Sequence, residues 1–114
     1  MSDPQIVPTE LKRCDLFKLA GRFDSSKAHD VEAAFWAAIG AGRFRLVLDM
    51  SDVDYISSGF LRVLMATQKE VKRFNRGDIY LAAPSQRIQD VLKLAGLDAM
   101  FKTFATPEEA VGAW

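Results

Sequence analysis

Asp54-Tyr55-Ile56-Ser57-Ser58-Gly59-Phe60-Leu61-Arg62-Val63-Leu64 is the stretch whose reading decides the fold of this chain. Upstream of it, Phe44 to Met50 is a hydrophobic run that reads as a strand stopping just before the stretch. Downstream, an amphipathic helix begins within it. Two adjacent serines therefore fall at a strand-to-helix turn. A helix N-terminus presents unpaired N–H groups and partial positive charge. Such a spot accepts an anion, including a phosphate carried covalently by one of the serines.

The flanks extend this strand–helix unit in both directions. Leu46-Val47-Leu48 is continuously apolar, as in a strand covered on both faces. The helix is expected from about Gly59 to Phe74, stopping at Asn75-Arg76-Gly77, with Leu61, Leu64, Met65 and Val71 as its buried stripe. Before it, Leu16 to Ala20 reads as a strand ending at Gly21, with an edge strand around Ile6 to Leu11 that Pro8 demotes. Asp24-Ser25-Ser26 offers N-cap residues for a first helix whose apolar face is Val31, Ala34, Phe35, Ala38 and Ile39, closed by Gly40 and Gly42. After it, Ile79 to Ala83 is a strand. Ser85 caps a third helix with Ile88, Val91, Leu92 and Ala95 inward and Gly96 at its end. A short strand near Phe101 to Phe104 precedes Thr106-Pro107-Glu108-Glu109, a capping box with proline at the first helical position. Strands first, then alternating helix and strand, imply an α/β fold. We expect a mixed, mostly parallel sheet of four to five strands with about four helices, in one domain over 1–114. Sites in such sheets lie beyond the carboxyl ends of the strands, where the double serine falls.

Composition bounds the function. The 114 residues suit one core, and 49% hydrophobic with 26% charged residues is ordinary for a globular protein. Fifteen basic and fifteen acidic side chains cancel, which argues against a nucleic-acid binder. No apolar run reaches the roughly 20 residues of a membrane span. Met1-Ser2-Asp3-Pro4-Gln5 does not read as a signal peptide. The single cysteine, Cys14, is expected to be a buried apolar residue in a strand, and a cytoplasmic location is the simplest inference.

Several chemistries lack their residues. A hydrolase elbow needs Gly-x-Ser-x-Gly, whereas the run here is Tyr55-Ile56-Ser57-Ser58-Gly59. The only histidine, His29, falls early in the first helix and reads as a solvated side chain. One histidine and one cysteine are too few for a zinc site, and no phosphate-binding Gly-x-x-x-x-Gly-Lys-Ser/Thr loop is present. Asp49, Asp52 and Asp54 read as solvated residues of an acidic turn. No cofactor, metal or catalytic residue is expected. Arg62, Lys69, Arg73 and Arg76 share a stripe at spacings of seven, four and three. They form either a solvated face favoured near the helix C-terminus or a surface for an acidic partner.

Ser57 or Ser58 serves as the N-cap of the second helix. A phosphate on the turn adds about −1.5 to −2 charges at pH 7. The helix start tolerates that charge. A partner docked over the turn does not, so modification there controls binding rather than folding.

These residues resemble the STAS domains of sulfate transporters and anti-sigma factor antagonists. Tyr55-Ile56-Ser57-Ser58-Gly59-Phe60-Leu61-Arg62-Val63-Leu64 is similar to the family's signature segment. Leu19-Ala20-Gly21-Arg22-Phe23-Asp24 is similar to its Gly-x-hydrophobic-Asp strand end, Leu46 to Val53 to its central strand and acidic turn, and Ser85 to Leu97 to its third helix. The resemblance implies a bacterial, cytoplasmic partner-switching regulator, itself not an enzyme. Unmodified, it binds a serine-kinase anti-sigma factor of the GHKL ATPase type and frees the sigma factor. Phosphorylation then dissolves the complex, and a PP2C-type phosphatase resets it. The resemblance places the phosphoacceptor on Ser58, with Ser57 as runner-up, and the partner contact on Asp24, Ser25, Ser57, Ser58, Gly59, Phe60 and Arg62. Ser57 stands where many phosphoacceptor members have aspartate, and Phe60 and Arg62 stand where they have glycine. The alternative is a constitutive STAS subunit of a lipid-transport ABC complex, or another interaction module that is never phosphorylated.

Overall fold

The computed structural model describes residues 5–114, in the order β1 (Gln5–Glu10), β2 (Asp15–Phe23), α1 (Ala28–Gly40), β3 (Arg45–Ile56), α2 (Ser58–Lys72), β4 (Asp78–Ala82), α3 (Gln86–Leu94), β5 (Lys102–Phe104) and α4 (Pro107–Gly112). The leader reading of Met1-Ser2-Asp3-Pro4 lies outside the described residues. The strands form one sheet in the order β1-β2-β3-β4-β5, with β1 antiparallel to β2 and every other pair parallel. This is the mixed, mostly parallel α/β sheet expected from the alternating pattern. Pro8 sits opposite Phe17 on the edge strand, where a missing N–H is tolerated. Among the described residues no helix is long and apolar enough to cross a membrane.

Both faces of β3 are covered, which explains its unbroken apolar run. Leu46, Leu48 and Met50 join Phe17, Leu19, Phe23, Phe35 and Leu64 in the main core. Val47 faces the other way, into a smaller cluster with Cys14, Tyr80, Ala82 and Ala110. Phe17 meets Phe35 edge-to-face at 5.2 Å, tying α1 to the sheet. Cys14 is buried but stands one residue before β2, and burial pushes its thiol above the usual range.

Three expectations are corrected. First, β3 does not stop at Met50. It continues to Ile56, so Asp49, Asp52 and Asp54 belong to a strand and not to a turn. The long β2 provides the pairing, with register shifts between Lys18 and Ala20 and again between Gly21 and Arg22. Lys18 Nζ lies 3.2 Å from Asp49 and 3.1 Å from Asp52, which relieves the repulsion along the acidic segment.

Second, Met65 and Ala95 are exposed rather than inward. The buried face of α2 is Phe60, Val63, Leu64, Thr67, Gln68 and Val71. Two polar residues sit on it because both are satisfied. Thr67 Oγ1 donates to the Val63 carbonyl at 2.8 Å. Gln68 donates to Asp78 Oδ1 at 2.7 Å and to the Met100 carbonyl at 2.8 Å, and accepts from the Ile79 N–H at 3.0 Å.

Third, the basic stripe of α2 is not continuous. The helix ends at Lys72, and Phe74 and Asn75 take left-handed φ values of 57° and 55°. Arg73 and Arg76 fall beyond it and grip Glu70 at 3.4 and 2.8 Å, holding that carboxyl below its usual range, Arg76 foremost.

Candidate functional site at the start of helix α2

The two serines have different environments. Ser57 is extended (φ −94°, ψ 171°) and its N–H donates to the Phe23 carbonyl at 2.9 Å, binding the turn to the end of β2. Its Oγ accepts the Phe60 N–H at 3.2 Å, so Ser57 is the N-cap of α2, and it is buried. Ser58 is the first helical residue and is exposed. Its hydroxyl is not spent on capping and stands at the positive end of the helix dipole.

Around this turn the N-terminus of α1 closes in. Asp24 caps a single 3-10 turn, Ser25–Lys27, that leads into α1. Its Oδ1 accepts from the Ser26 hydroxyl at 2.6 Å and the Ser26 N–H at 3.1 Å. The Ser26 hydroxyl, with the backbone N–H groups of Ser26 and Lys27, holds the Asp24 carboxyl below the usual range although it is fully exposed. Gly59 faces this turn: a Cβ there would lie 3.5 Å from both Ser25 Cα and Ala28 Cβ. An open groove of about 460 Å³ runs between the two helix starts and is lined by Ser25, His29, Glu32, Ser58, Gly59 and Arg62 among others. Arg62 is exposed one helical turn beyond Ser58, on the same face of α2.

Phe60 requires a correction to the expected partner surface. It is fully buried and tilts against Phe23 at 5.4 Å between centroids. Its place three residues before Val63 and four before Leu64 puts it on the inward stripe, so its ring offers a partner nothing to touch. Of the expected contact residues, the groove brings together Ser25, Ser58, Gly59 and Arg62. Asp24 adjoins Ser25, while Ser57 and Phe60 lie beneath the surface as cap and core.

The STAS domain family profile matches residues 5–110, nearly the whole length. The chain belongs to the STAS domain family. This STAS domain is 30% identical over 96 residues to BtrV of Bordetella bronchiseptica, a protein named as an anti-sigma factor antagonist, covering 84% of this chain and 82% of the relative. Its fold is similar to a crystal structure from Thermotoga maritima, described as that of an anti-sigma factor antagonist. That match has a TM-score of 0.87 and 22% identity, over 95% of this chain and 92% of the other. It is also similar to the Bacillus cell fate determinant SpoIIAA in its phosphorylated form (TM-score 0.76, 19% identity, 96% and 98% covered).

Sequence reading placed Ser25 in the contact of this STAS domain but not His29 or Glu32 of α1. His29 lines the groove with its side chain 92% exposed and Nδ1 3.8 Å from Glu32 Oε1, beyond hydrogen-bond length. The signal was topological. Helices that follow parallel strands all start at the same end of the sheet, so the first turn of α1 had to lie beside that of α2.

Proposed function

We propose that this STAS domain is an anti-sigma factor antagonist that works by partner switching in the cytoplasm. Unmodified, it docks on a serine-kinase anti-sigma factor of the GHKL type through the end of the sheet that carries Ser25, Ser58, Gly59 and Arg62. The observation that carries this reading is the division of labour at the turn, where Ser57 caps α2 from inside and Ser58 is left exposed.

In the transfer, Ser58 Oγ forms a bond to the γ-phosphorus of ATP while the bond from that phosphorus to the ADP oxygen breaks. The hydroxyl proton passes to a base of the kinase. Serine is thus the substrate, and the domain itself catalyses nothing. The new dianion meets the N–H groups of the first turn of α2, so the fold tolerates it. Arg62, one turn on, is available to pair with it. A partner seated over the groove must then desolvate a phosphate whose counter-charge is already supplied internally, and it leaves. A phosphorylated antagonist of the same fold from Bacillus supports the compatibility of phosphate with this architecture. Hydrolysis by a PP2C-type phosphatase restores the hydroxyl.

The test is phosphorylation by the host's anti-sigma kinase with ATP, read by mass spectrometry, together with kinase binding of Ser58→Asp. One phosphoryl group on Ser58, none on Ser58→Ala, and loss of binding by Ser58→Asp with unchanged circular dichroism are expected. An unmodified Ser58, or stable association with a permease–ATPase pair in place of a kinase, overturns the reading.

A further inference from the structure

The end of the domain opposite Ser58 carries a feature that folding does not explain. Helix α2 spans Ser58 to Lys72, so its C-terminus lies about 22 Å from the serine. There Phe74 adopts φ 57°, a left-handed conformation that a bulky residue reaches only against steric resistance. The ring so held does not enter the core and is 81% exposed. The Arg73 and Arg76 guanidiniums stand 5.2 and 5.9 Å from it. Arg76 also lies 4.0 Å over the Phe44 ring, in a cleft it shares with Arg13 and Arg45.

Carboxylates compensate only part of this charge. Arg13 donates to the main-chain oxygen of Trp114 at 3.1 Å, and Arg45 lies 5.3 Å over the Trp114 ring. Arg43, which lines the same cleft, pairs with Asp15 at 2.7 Å and lies 3.9 Å from Glu10, and Arg73 and Arg76 pair with Glu70. The chain as a whole is formally neutral. Around this end five guanidiniums, Arg13, Arg43, Arg45, Arg73 and Arg76, outnumber the three carboxylates paired with them, Glu10, Asp15 and Glu70, while Asp24, Asp49, Asp52 and Asp54 sit toward the carboxyl ends of β2 and β3.

We propose that this end is a second docking surface, for an acidic protein segment that covers Phe74 with an apolar side chain. Arginine beside an exposed aromatic ring, here Phe74, is the composition of interface centres, and the net positive sign of the patch selects an acidic partner. A nucleic-acid strand would need a longer basic track with more rings for stacking. The surface lies a full helix away from Ser58, so its occupancy is independent of phosphorylation. The inference stands whether or not the reading of Ser58 does.

The test titrates the ¹⁵N-labelled chain with three probes: a short Asp/Glu-rich peptide with one central leucine, its Asn/Gln counterpart, and a single-stranded oligothymidine of equal charge. The acidic peptide is expected to bind tightest and to shift amides around residues 44–45 and 73–76. The double variant Arg45→Glu/Arg73→Glu weakens it on the order of tenfold. Phe74→Gly relieves the left-handed φ, so its melting temperature rises by roughly 4 °C while affinity falls roughly threefold. Ser58→Asp changes neither. Equal binding of the Asn/Gln peptide, shifts confined to residues 57–62, tighter binding of the oligothymidine, or undiminished affinity in Phe74→Gly would each overturn the proposal.

Discussion

Ser57 Oγ accepts the Phe60 N–H at 3.2 Å, and that bond separates the roles of two chemically identical neighbours. Ser57 is buried in the joint between β3 and α2, and Ser58 is outside. Ser57→Ala should therefore lose about 1 kcal/mol of stability in urea unfolding. Ser58→Ala should stay within about 0.5 kcal/mol of the parent. Equal losses from the two substitutions would contradict this assignment of the cap.

Phe60 makes a larger contribution from the same turn. Its ring is fully buried against Phe23, so Phe60→Ala leaves a void where the first turn of α2 meets the sheet. A loss of about 3–5 kcal/mol is expected. A thermal melt showing less than about 1 kcal/mol would mean that the ring is not a core residue.

The fold was legible because its cues are local. The apolar run Leu46-Val47-Leu48, a serine cap at Ser57 or Ser58, the cap at Ser85, and the Thr106-Pro107 helix start each correspond to an element of the structure, which assigns the first cap to Ser57. What escaped reading depended on distant partners. The acidic run from Asp49 to Asp54 looks like a turn until Lys18 of the neighbouring strand is set between Asp49 and Asp52. The inward face of α2 was misjudged because Thr67 and Gln68 are polar, and their hydrogen-bond partners are not evident from the helix sequence alone. The site was half legible. Motif position points to Ser58, but only packing shows that Phe60 is core and that His29 borders the groove.

Gln68 carries a prediction of its own. Its carboxamide joins α2 to the start of β4 and to Met100 through three hydrogen bonds at 2.7, 2.8 and 3.0 Å. Gln68→Leu fits the space and suits a helix, yet it strips the Met100 carbonyl of that partner. Asp78 retains the Ile79 N–H at 2.8 Å, which limits the damage. A loss of about 2 kcal/mol is expected in chemical denaturation. A stabilised variant would show that these bonds contribute nothing net.

Asp49 makes stability depend on pH. Burial works against its charge, but the N–H and hydroxyl of Ser51 and the Lys18 ammonium outweigh it and hold the carboxyl below the usual range. A depressed carboxyl stabilises the fold above its unfolded value, about pH 4, and this advantage drains away as pH falls through the lower folded value. Lys18 is shifted the opposite way, upward, by its hydrogen bonds to Asp52 and Asp49. Its contribution is complete below its unfolded value and is lost as pH rises through the higher folded one. Asp49→Asn should therefore be less stable than the parent at pH 7, and the difference should shrink on acidification below about pH 4. Parallel stability curves across that range would contradict the linkage.

Two glycines make opposite predictions from the same substitution. A Cβ on Gly77 would stand 1.9 Å from the Phe44 carbonyl oxygen, because the chain passes close to Phe44 just before Asp78 donates to that same oxygen at 3.2 Å. Backbone cannot yield there without dislodging the start of β4, so Gly77→Ala should cost about 3 kcal/mol. A Cβ on Gly59 would meet Ser25 and Ala28 at ordinary contact distance, 3.5 Å, inside the first turn of a helix. Gly59→Ala should gain about 0.5–1 kcal/mol from reduced backbone freedom in the unfolded chain. Measured together by urea unfolding, the pair should move in opposite directions. A destabilised Gly59→Ala would show that the two helix starts have no room for a methyl group between them, and that the floor of the groove is tighter than its 3.5 Å contacts imply.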